Sequence, residues 1–342
     1  MAIRKIVALL LAAAAALLAS CAPGPRGDSG AAGATYVNPV LERDFPDPAV
    51  LTTAEGWFYA YATQSASADR MLNIQVARSR DLVHWEQLGD ALPEKPRWAA
   101  STQKFWAPHV LQDAALGRYF MYYSAEPDRS AAKCLAVATA AAPEGPFVDA
   151  GEPLLCGERS ENIDPMAFDD PRTGRRLLYW GSAARPIRVR ELAPDRLRFA
   201  ADSTARELVF PDAARDYHAL VEAAWVTYRG GRYYLFYSGD RCCGVAARYA
   251  LMVARASDAL GPFEPLATPI LERSESWHAP GHNSVVTDDA GADWILYHAM
   301  RTPPQRLMLL DRIVWRDGWP RVAGARPSAL PRPVPWFSNQ LP

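Results

Sequence analysis

The chain has 342 residues, and its 37 Lys and Arg against 38 Asp and Glu give a formal net charge of -1 at pH 7. This balance excludes the basic footprint of a nucleic-acid-binding protein. Aromatic residues make up 11% of the chain, including 11 Trp, which favours an aromatic core with some rings available to stack on sugars.

The N-terminal segment has the layout of an export signal. Arg4 and Lys5 precede an apolar run over residues 6–18, and small residues follow that run. The run is too short for a stable membrane span, so residues 1–20 are predicted to be a secretory signal peptide.

The signal ends in Leu-Ala-Ser-Cys, which resembles the cleavage box of bacterial lipoproteins. In that class the cysteine, here Cys21, becomes the lipid-bearing N-terminus, so we expect anchoring to the cell envelope through acyl chains. Plain secretion with an incidental Cys21 is the alternative. Residues 21–34 are rich in Gly, Ala and Pro and are predicted to be a flexible tether.

An aromatic strand pattern then recurs five times between residues 35 and 342. Each copy is short, follows a turn, and is rich in Tyr, Phe, Trp, Leu and Val, as strands are. Successive copies start 62, 57, 57 and 61 residues apart. The five segments are 56–63, 118–125, 175–182, 232–239 and 293–300.

Further strand patterns flank each copy. The preceding strands are predicted at 47–52, 107–112, 164–169, 222–227 and 282–287. The following strands are predicted at 72–78, 133–139, 187–192, 249–255 and 307–314, and the fourth strands at 84–86, 145–147, 197–199, 261–263 and 318–319. Four short strands repeated five times predict an all-β five-bladed β-propeller over residues 35–342, since a sandwich has no such repeat and a β-helix needs shorter ones.

Ionisable residues recur at the start of the innermost strands. Alignment of the repeats on Pro48, Pro108, Pro165, Ala223 and Asn283 places one residue immediately before each of them. Those preceding residues are Asp47, Ala107, Asp164, Glu222 and His282. A propeller brings the starts of its inner strands together at one end, so three carboxyl groups and a histidine are expected around one pocket, where crowding raises the pKa of at least one acid.

The other cysteines lie within the repeats. Cys134 and Cys156 form the plausible long-range disulfide in an oxidising compartment. The adjacent Cys242 and Cys243 could form a vicinal disulfide or stay reduced, and no spacing supports zinc. The Pro-rich tail from Arg326 is expected to pack back on a blade.

Five short motifs, one per repeat, together resemble glycoside hydrolase family 43 over about residues 37–322. They are Phe45-Pro46-Asp47-Pro48, Phe105-Trp106-Ala107-Pro108-His109, Asn162-Ile163-Asp164-Pro165, Val221-Glu222-Ala223 and Gly281-His282-Asn283-Ser284. Each motif is weak alone, but five in order are specific.

The resemblance implies a role for each polar residue. Asp47 would be the general base, Glu222 the general acid, and Asp164 the carboxylate that orients the acid. His282 would lie beside a hydrated metal ion, with one Ca²⁺ as the expected cofactor, although a histidine that only makes hydrogen bonds is an equal alternative. The resemblance also implies substrate contacts from Phe45, Trp106 and Arg306.

The expected function is an inverting glycoside hydrolase acting on plant cell-wall polysaccharide, with α-L-arabinofuranosyl linkages of arabinan or arabinoxylan as the leading substrate. A β-xylosidase of the same fold is the first alternative. A catalytically inactive surface glycan-binding propeller is the second. The enzyme is expected to act as a monomer on a polysaccharide or oligosaccharide, with no nucleic-acid partner and membrane contact only through the lipid on Cys21.

Overall fold

The computed structural model describes residues 34–67 and 69–338. Residues 1–33, which include the predicted signal peptide, Cys21 and nearly all of the predicted tether, lie outside the described residues. Among the described residues, no helix has the length and apolar character needed to cross a membrane.

The chain forms five antiparallel four-stranded sheets in sequence order, which confirms the predicted five-bladed propeller. A short strand, β1 (Thr35–Tyr36), precedes them. Blade I contains β2 (Ala49–Thr52), β3 (Phe58–Ala62), the short hairpin β4 (Ser65–Ala66) and β5 (Met71–Leu72), then β6 (Gln75–Ser79) and β7 (Glu86–Asp90). Blade II contains β8 (Phe105–Asp113), β9 (Arg118–Ala125), β10 (Cys134–Ala140), β11 (Val148–Asp149) and the extra strand β12 (Leu155–Cys156) beside β10.

The remaining three blades have the same strand order. Blade III contains β13 (Met166–Asp169), β14 (Arg176–Trp180), β15 (Ile187–Glu191) and β16 (Arg206–Val209). Blade IV contains β17 (Val221–Arg229), β18 (Arg232–Gly239), β19 (Ala250–Ala256) and β20 (Glu264–Pro265). Blade V contains β21 (His278–Thr287), β22 (Asp293–Met300), β23 (Leu307–Arg316) and β24 (Trp319–Val322). Two single-turn 3₁₀ helices (Arg97–Ala99 and Ala323–Ala325) and β25 (Arg332–Pro333) complete the described elements.

The predicted outer strands needed correction. The fourth strand of blade III was expected at 197–199, but it is β16, and Phe199 makes only an isolated bridge to Leu192. The apolar pattern there arises because Phe199 packs on Trp180, with ring centroids 5.6 Å apart. The Gly-Pro-Phe segments at 145–147 and 261–263 are turns that lead into β11 and β20, and their Phe side chains are buried beneath the sheet.

The core lies between neighbouring blades. Phe168 of blade III, for example, meets Tyr179 of its own blade and Tyr233 of blade IV, at centroid distances of 6.4 and 6.3 Å. Burying such a ring contributes about 1.5–3 kcal/mol, so the aromatic strands that mark the repeat also hold the blades together. His109 and Trp225, from the inner strands of blades II and IV, meet edge to face 5.3 Å apart.

Both ends of the described chain close the ring. β1 pairs with β25, and the Asn38 side chain both donates to and accepts from the backbone of Leu310 in blade V. Phe337 is 5% exposed and packs on Phe58 of blade I, with ring centroids 4.6 Å apart. This confirms that the tail packs back on a blade.

The structure contains two disulfides, the expected Cys134–Cys156 pair and a vicinal pair that the sequence left open. Cys134 on β10 faces Cys156 on β12, and the two form a disulfide across the outer edge of blade II. Cys242 and Cys243 form a vicinal disulfide in the loop after β18. The vicinal bond resolves the alternative that the sequence left open.

Candidate active site

One residue at the start of each inner strand has a left-handed backbone conformation. The five residues are Asp47, Ala107, Asp164, Ala223 and His282, with φ of 58°, 47°, 56°, 60° and 49°. Each lies two positions before the residue at which regular pairing with the second strand begins or resumes. Such a φ is strained for residues other than glycine, so the surrounding structure must compensate at all five places.

This position corrects the sequence alignment in blade IV. Ala223, and not Glu222, is the structural equivalent of Asp47, Asp164 and His282. Glu222 pairs with Ser238 just before a bulge, as Trp106 and Gly281 do with Ser124 and His298 in blades II and V, so the alignment of Ala223 with Pro48 was wrong by one residue. Glu222 therefore reaches the site from one residue earlier in its strand than the other acids do.

A polar side chain at the end of each second strand holds the start of the next inner strand. The backbone N–H groups of Ala107, Asp164, His282 and Asp47 donate to Thr63 Oγ1, Ser124 Oγ, Ser238 Oγ and His298 Nδ1, over 2.8, 3.1, 2.8 and 3.1 Å. We call these four bonds the blade clasp. Each clasp bond satisfies a buried N–H and fixes one blade to its neighbour.

The clasp changes only between blades III and IV. Ser182 occupies the position of Thr63, Ser124 and Ser238, but its hydroxyl donates to Glu222 Oε2. The N–H of Ala223 donates instead to Asp164 Oδ2 over 3.1 Å. The offset of Glu222 thus converts a structural bond into two contacts that involve carboxyl groups.

Asp47 is surrounded by donors. Its Oδ2 accepts a hydrogen bond of 2.5 Å from the Thr63 hydroxyl, and its Oδ1 lies 3.1 Å from Arg306 Nη1 and 3.3 Å from His282 Nδ1. Burial raises the pKa of Asp47, but Arg306 and His282 together lower it by more than burial raises it. The net pKa therefore lies well below its usual range. Asp47 is therefore ionised although only 8% of the residue is exposed.

His298 contacts Asp47, and its imidazole ring is neutral. Burial lowers the pKa of His298 to about 4. Because its Nδ1 accepts the Asp47 N–H, the ring proton is assigned to Nε2, and the 3.2 Å approach of Nδ1 to Asp47 Oδ1 is a contact without an ion pair. His298 thus completes the clasp and leaves neutralisation of Asp47 to Arg306 and His282.

Glu222 and Asp164 have the opposite tendency. Burial raises the pKa of Glu222, and the negative charge of Asp47 adds to this effect, although hydrogen bonds from Ser182 and Tyr249 act against it. Burial also raises the pKa of Asp164 well above its usual range, with help from the charges of Glu222 and Asp47. These two crowded acids therefore retain protons at a pH at which Asp47 is ionised.

His282 lies between the acids. Its Nδ1 is 3.3 Å from Asp47 Oδ1 and 4.0 Å from Asp164 Oδ2. Burial lowers the pKa of His282, but the carboxylates of Asp47 and Asp164 raise it more, so the net shift is upward. A charged imidazole at this point favours the ionised form of Asp47.

The expected calcium does not have a protein cage here. No group of three or more His, Cys, Asp or Glu side chains in the described part of the chain has an arrangement that could hold a metal ion. Calcium prefers oxygen ligands, whereas Nδ1 of His282 points at the Asp47 carboxylate. The donor set does not fit the ion, so calcium at His282 stays a prediction from sequence and no step below depends on it.

The three predicted substrate contacts have different placements. Arg306, in the loop before β23, is part of the carboxylate cluster through Asp47. Trp106 is half-buried at the start of β8, one residue before Ala107, with Lys133 Nζ 4.0 Å from its ring centroid. Phe45 is 0% exposed and packs in the core between blades I and V, so the expectation that it lines the pocket is corrected.

Sequence reasoning missed the groups that hold the acids. They are Thr63, Ser124, Ser182, Ser238, Tyr249 and His298. All except Tyr249 are the polar residue at or near the end of an aromatic repeat segment, so their recurrence was a usable signal. Tyr249 is the last residue before β19, and its place at the start of the predicted strand 249–255 gave no sign of its contact with Glu222.

Together these contacts form an acid–base pair. An ionised carboxylate, Asp47, and an acid with a raised pKa, Glu222, lie at one end of the propeller around a shared histidine. Glycoside hydrolysis needs this difference in protonation between two carboxyl groups.

Known proteins are similar to this chain in sequence. The beta-D-galactofuranosidase xynD of Aspergillus niger is 30% identical over 300 residues, which cover 82% of this chain and 82% of that protein. The extracellular exo-alpha-(1->5)-L-arabinofuranosidase ArbA of Cellvibrio japonicus is 25% identical, covering 82% of this chain and 86% of its own.

Solved structures agree. A thermostable family-43 glycoside hydrolase has a TM-score of 0.75 at 28% identity and covers 89% of this chain and 100% of its own. The Cellvibrio cellulosa alpha-L-arabinanase in complex with arabinohexaose, at 22% identity and a TM-score of 0.68 over 82% of this chain and 95% of its own, shows the same fold. The sequence profile of glycosyl hydrolases family 43 matches residues 36–320. The chain therefore belongs to glycosyl hydrolases family 43.

Proposed function

We propose that this glycoside hydrolase cleaves α-L-arabinofuranosyl linkages in arabinan or arabinoxylan, with inversion at the anomeric carbon. The observation that carries the catalytic assignment is the opposite protonation of two buried acids, since Asp47 is ionised and Glu222 has a raised pKa. The substrate assignment is supported by the relatives, among which are an exo-arabinofuranosidase and endo-arabinanases.

The mechanism follows from the two protonation states. Asp47 takes a proton from a water molecule as the water oxygen forms a bond to the anomeric carbon. As the glycosidic bond breaks, Glu222 gives its proton to the leaving oxygen. Asp164 accepts the N–H of Ala223, next to Glu222, and so orients the strand that carries the acid.

Other residues contribute binding. The Arg306 guanidinium approaches Asp47 through Nη1, and its remaining N–H groups can donate to sugar hydroxyls. The Trp106 ring can pack one face on a sugar. The Lys133 ammonium makes a cation–π contact with this ring.

Export is part of the proposal. The relatives named extracellular support a secreted enzyme. The leader and Cys21 support the finer assignment of a lipid anchor in the cell envelope. Labelling of the expressed protein with a radioactive fatty acid tests it, with Cys21→Ser as the control that should lose the label.

The substrate is tested with matched 4-nitrophenyl glycosides. We expect release of 4-nitrophenol from the α-L-arabinofuranoside at a rate at least tenfold above that from the β-D-xyloside. The β-D-galactofuranoside is included because of the Aspergillus niger relative. Faster cleavage of the xyloside would establish the β-xylosidase alternative, and glycan binding without turnover of any substrate would establish the binding protein. NMR of the first-formed anomer from linear arabino-oligosaccharide tests inversion, and a retained configuration would contradict the mechanism.

The general base has its own test. Asp47→Ala should lower kcat by about 10²–10⁴-fold on every cleaved substrate, because no other described carboxylate is held ionised beside the sugar site. Asp202→Asn, at an exposed position, is the matched control and should retain full activity. A loss confined to one leaving group would contradict the assignment of Asp47 as the base.

A further inference from the structure

A ten-residue loop of blade IV, residues 240–249, lies beside the general acid. The loop leaves β18 after Gly239 and returns to β19 at Ala250. Gly239 pairs with Val221 and Ser238 pairs with Glu222, so the loop starts at the end of the blade where the acid lies. The loop also contains the vicinal disulfide, whose role is explained neither by the propeller fold nor by the proposed mechanism.

The last residue of this loop holds the acid. The Tyr249 hydroxyl donates to Glu222 Oε1 over 2.7 Å, while Ser182 donates to Oε2. With both oxygens bonded to protein hydroxyls, the carboxyl plane of Glu222 is fixed. A general acid must present its proton toward the leaving oxygen, so this orientation matters for catalysis.

Tyr249 itself is held by two residues of blade V. Its ring stacks on His298, with centroids 5.7 Å apart and planes at 12°. On blade V, a Cβ added to Gly281 would lie 2.0 Å from Tyr249 Cδ1, so only glycine leaves room for the ring. Tyr249 is 2% exposed, and no alternative position is open to it without movement of these neighbours.

The disulfide lies against the same small cluster. Cys242 and Ala247 are partly buried on a patch formed by Tyr249, Ala279 and Met300. The loop closes at its base because the Arg248 N–H donates to Arg241 O over 2.9 Å and the Arg248 side chain pairs with Asp240. A bond between adjacent side chains restricts both of them, so the bonded Cys242 keeps a fixed place against the patch that contains Tyr249.

We propose that Tyr249 is a positioning residue for the general acid and that the Cys242–Cys243 disulfide holds the loop which keeps Tyr249 in place. Glu222 touches the leaving group, whereas Tyr249 and the disulfide act through Glu222. This inference rests on the proposed role of Glu222 and adds two elements to it. It also makes protonation of the leaving group sensitive to the bonded state of a partly exposed pair of cysteines.

Tyr249→Phe removes the hydroxyl and keeps the ring. The test compares kcat for glycosides of one sugar with leaving groups of different acidity, using whichever sugar the parent enzyme cleaves. We expect a loss of about 10–100-fold for an alkyl or sugar leaving group and less than threefold for 2,4-dinitrophenolate, because a good leaving group needs little protonation. A merely structural role would lower both rates by the same factor, and that result would overturn the proposal.

The disulfide is tested with a matched pair of double variants. Cys242→Ser with Cys243→Ser should show the same selective loss, about 3–30-fold for the poor leaving group. Cys134→Ser with Cys156→Ser removes the disulfide of blade II and should lower the melting temperature while the ratio of the two rates stays unchanged. An unchanged ratio in the Cys242/Cys243 variant would overturn the part of the proposal that concerns the disulfide.

The outcomes separate this inference from the proposed function. A parent enzyme that cleaves no glycoside would refute the proposed function before any variant is compared. An active parent, together with a Tyr249→Phe variant that loses both leaving groups equally, would refute only the positioning role. A Tyr249→Phe variant that does not fold is replaced by Tyr249→Met, which keeps an apolar side chain against His298 and also lacks the hydroxyl.

Discussion

Asp47 and Glu222 are carboxylic acids buried to the same degree at one end of the propeller, with 8% of each exposed. Burial by itself raises the pKa of both. Arg306 and His282 reverse this effect for Asp47. The hydroxyls of Ser182 and Tyr249 and the charge of His282 also lower the pKa of Glu222, but they do not outweigh its burial. The division of work between base and acid thus depends on whether the neighbours of each acid outweigh its burial.

The raised pKa of Glu222 predicts a stability gain from an inactive variant. The folded state binds a proton at Glu222 above the ordinary glutamate pKa of 4.5, so stability falls as pH rises from that value through the folded-state pKa. Glu222→Gln cannot ionise, and the two hydroxyls around it can also accept. The variant should gain about 1.4 kcal/mol for each unit by which the folded-state pKa is raised.

Urea unfolding at several pH values checks this expectation. The difference between Glu222→Gln and the parent enzyme should be small below pH 4 and should grow toward pH 7. A constant difference over that range, or a variant less stable at pH 7 than at pH 4 relative to the parent, would contradict the raised pKa.

At the scale of elements, each inner strand begins with a strained residue held by the blade before it. The left-handed turn points the Asp47, Asp164 and His282 side chains into one site. A clasp bond offsets the backbone strain of each turn. The same device works at Ala107, where no functional side chain is present, so it is a feature of the fold that the site uses.

Removal of one clasp acceptor should destabilise the protein measurably. Ser238→Ala leaves the buried N–H of His282 without its partner, and the free energy of unfolding should fall by about 1–3 kcal/mol. Ser276→Ala, on an exposed turn, is the matched control and should change it by less than about 0.5 kcal/mol. Chemical denaturation measures both. Equal stability of the two variants would show that water replaces the clasp bond.

At the scale of the whole molecule, the ring is closed by segments outside the repeat. β1 and β25 pair across the join between blades I and V, and Asn38 bonds to the backbone of Leu310. Phe337 then fills a space against Phe58. These contacts hold the last blade to the first in addition to the clasp bond between Asp47 and His298.

The two neighbouring aromatic residues of the tail offer a direct comparison. Phe337→Ala should lower the free energy of unfolding by about 3–5 kcal/mol, because it empties a buried site. Trp336 is 48% exposed, so Trp336→Ala should cost much less. Thermal or urea unfolding of both variants decides the point. Similar losses would mean that the tail acts by its backbone alone.

The sequence by itself determined the five blades, because strand length, aromatic content and a period near sixty residues are local properties. It also brought Asp47, Asp164 and His282 together, since equivalent positions of a closed repeat must meet, and it placed Glu222 within one residue of such a position. Only the tertiary structure decided that Glu222 lies one residue before the equivalent position, because the spacing between repeats varies and does not fix the alignment of a blade to one residue. Tyr249 became a partner of Glu222, and Arg306 a partner of Asp47, only through contacts between segments distant in sequence. The clasp acceptors recur visibly in the repeat, but the groups that they bind do not follow from that recurrence.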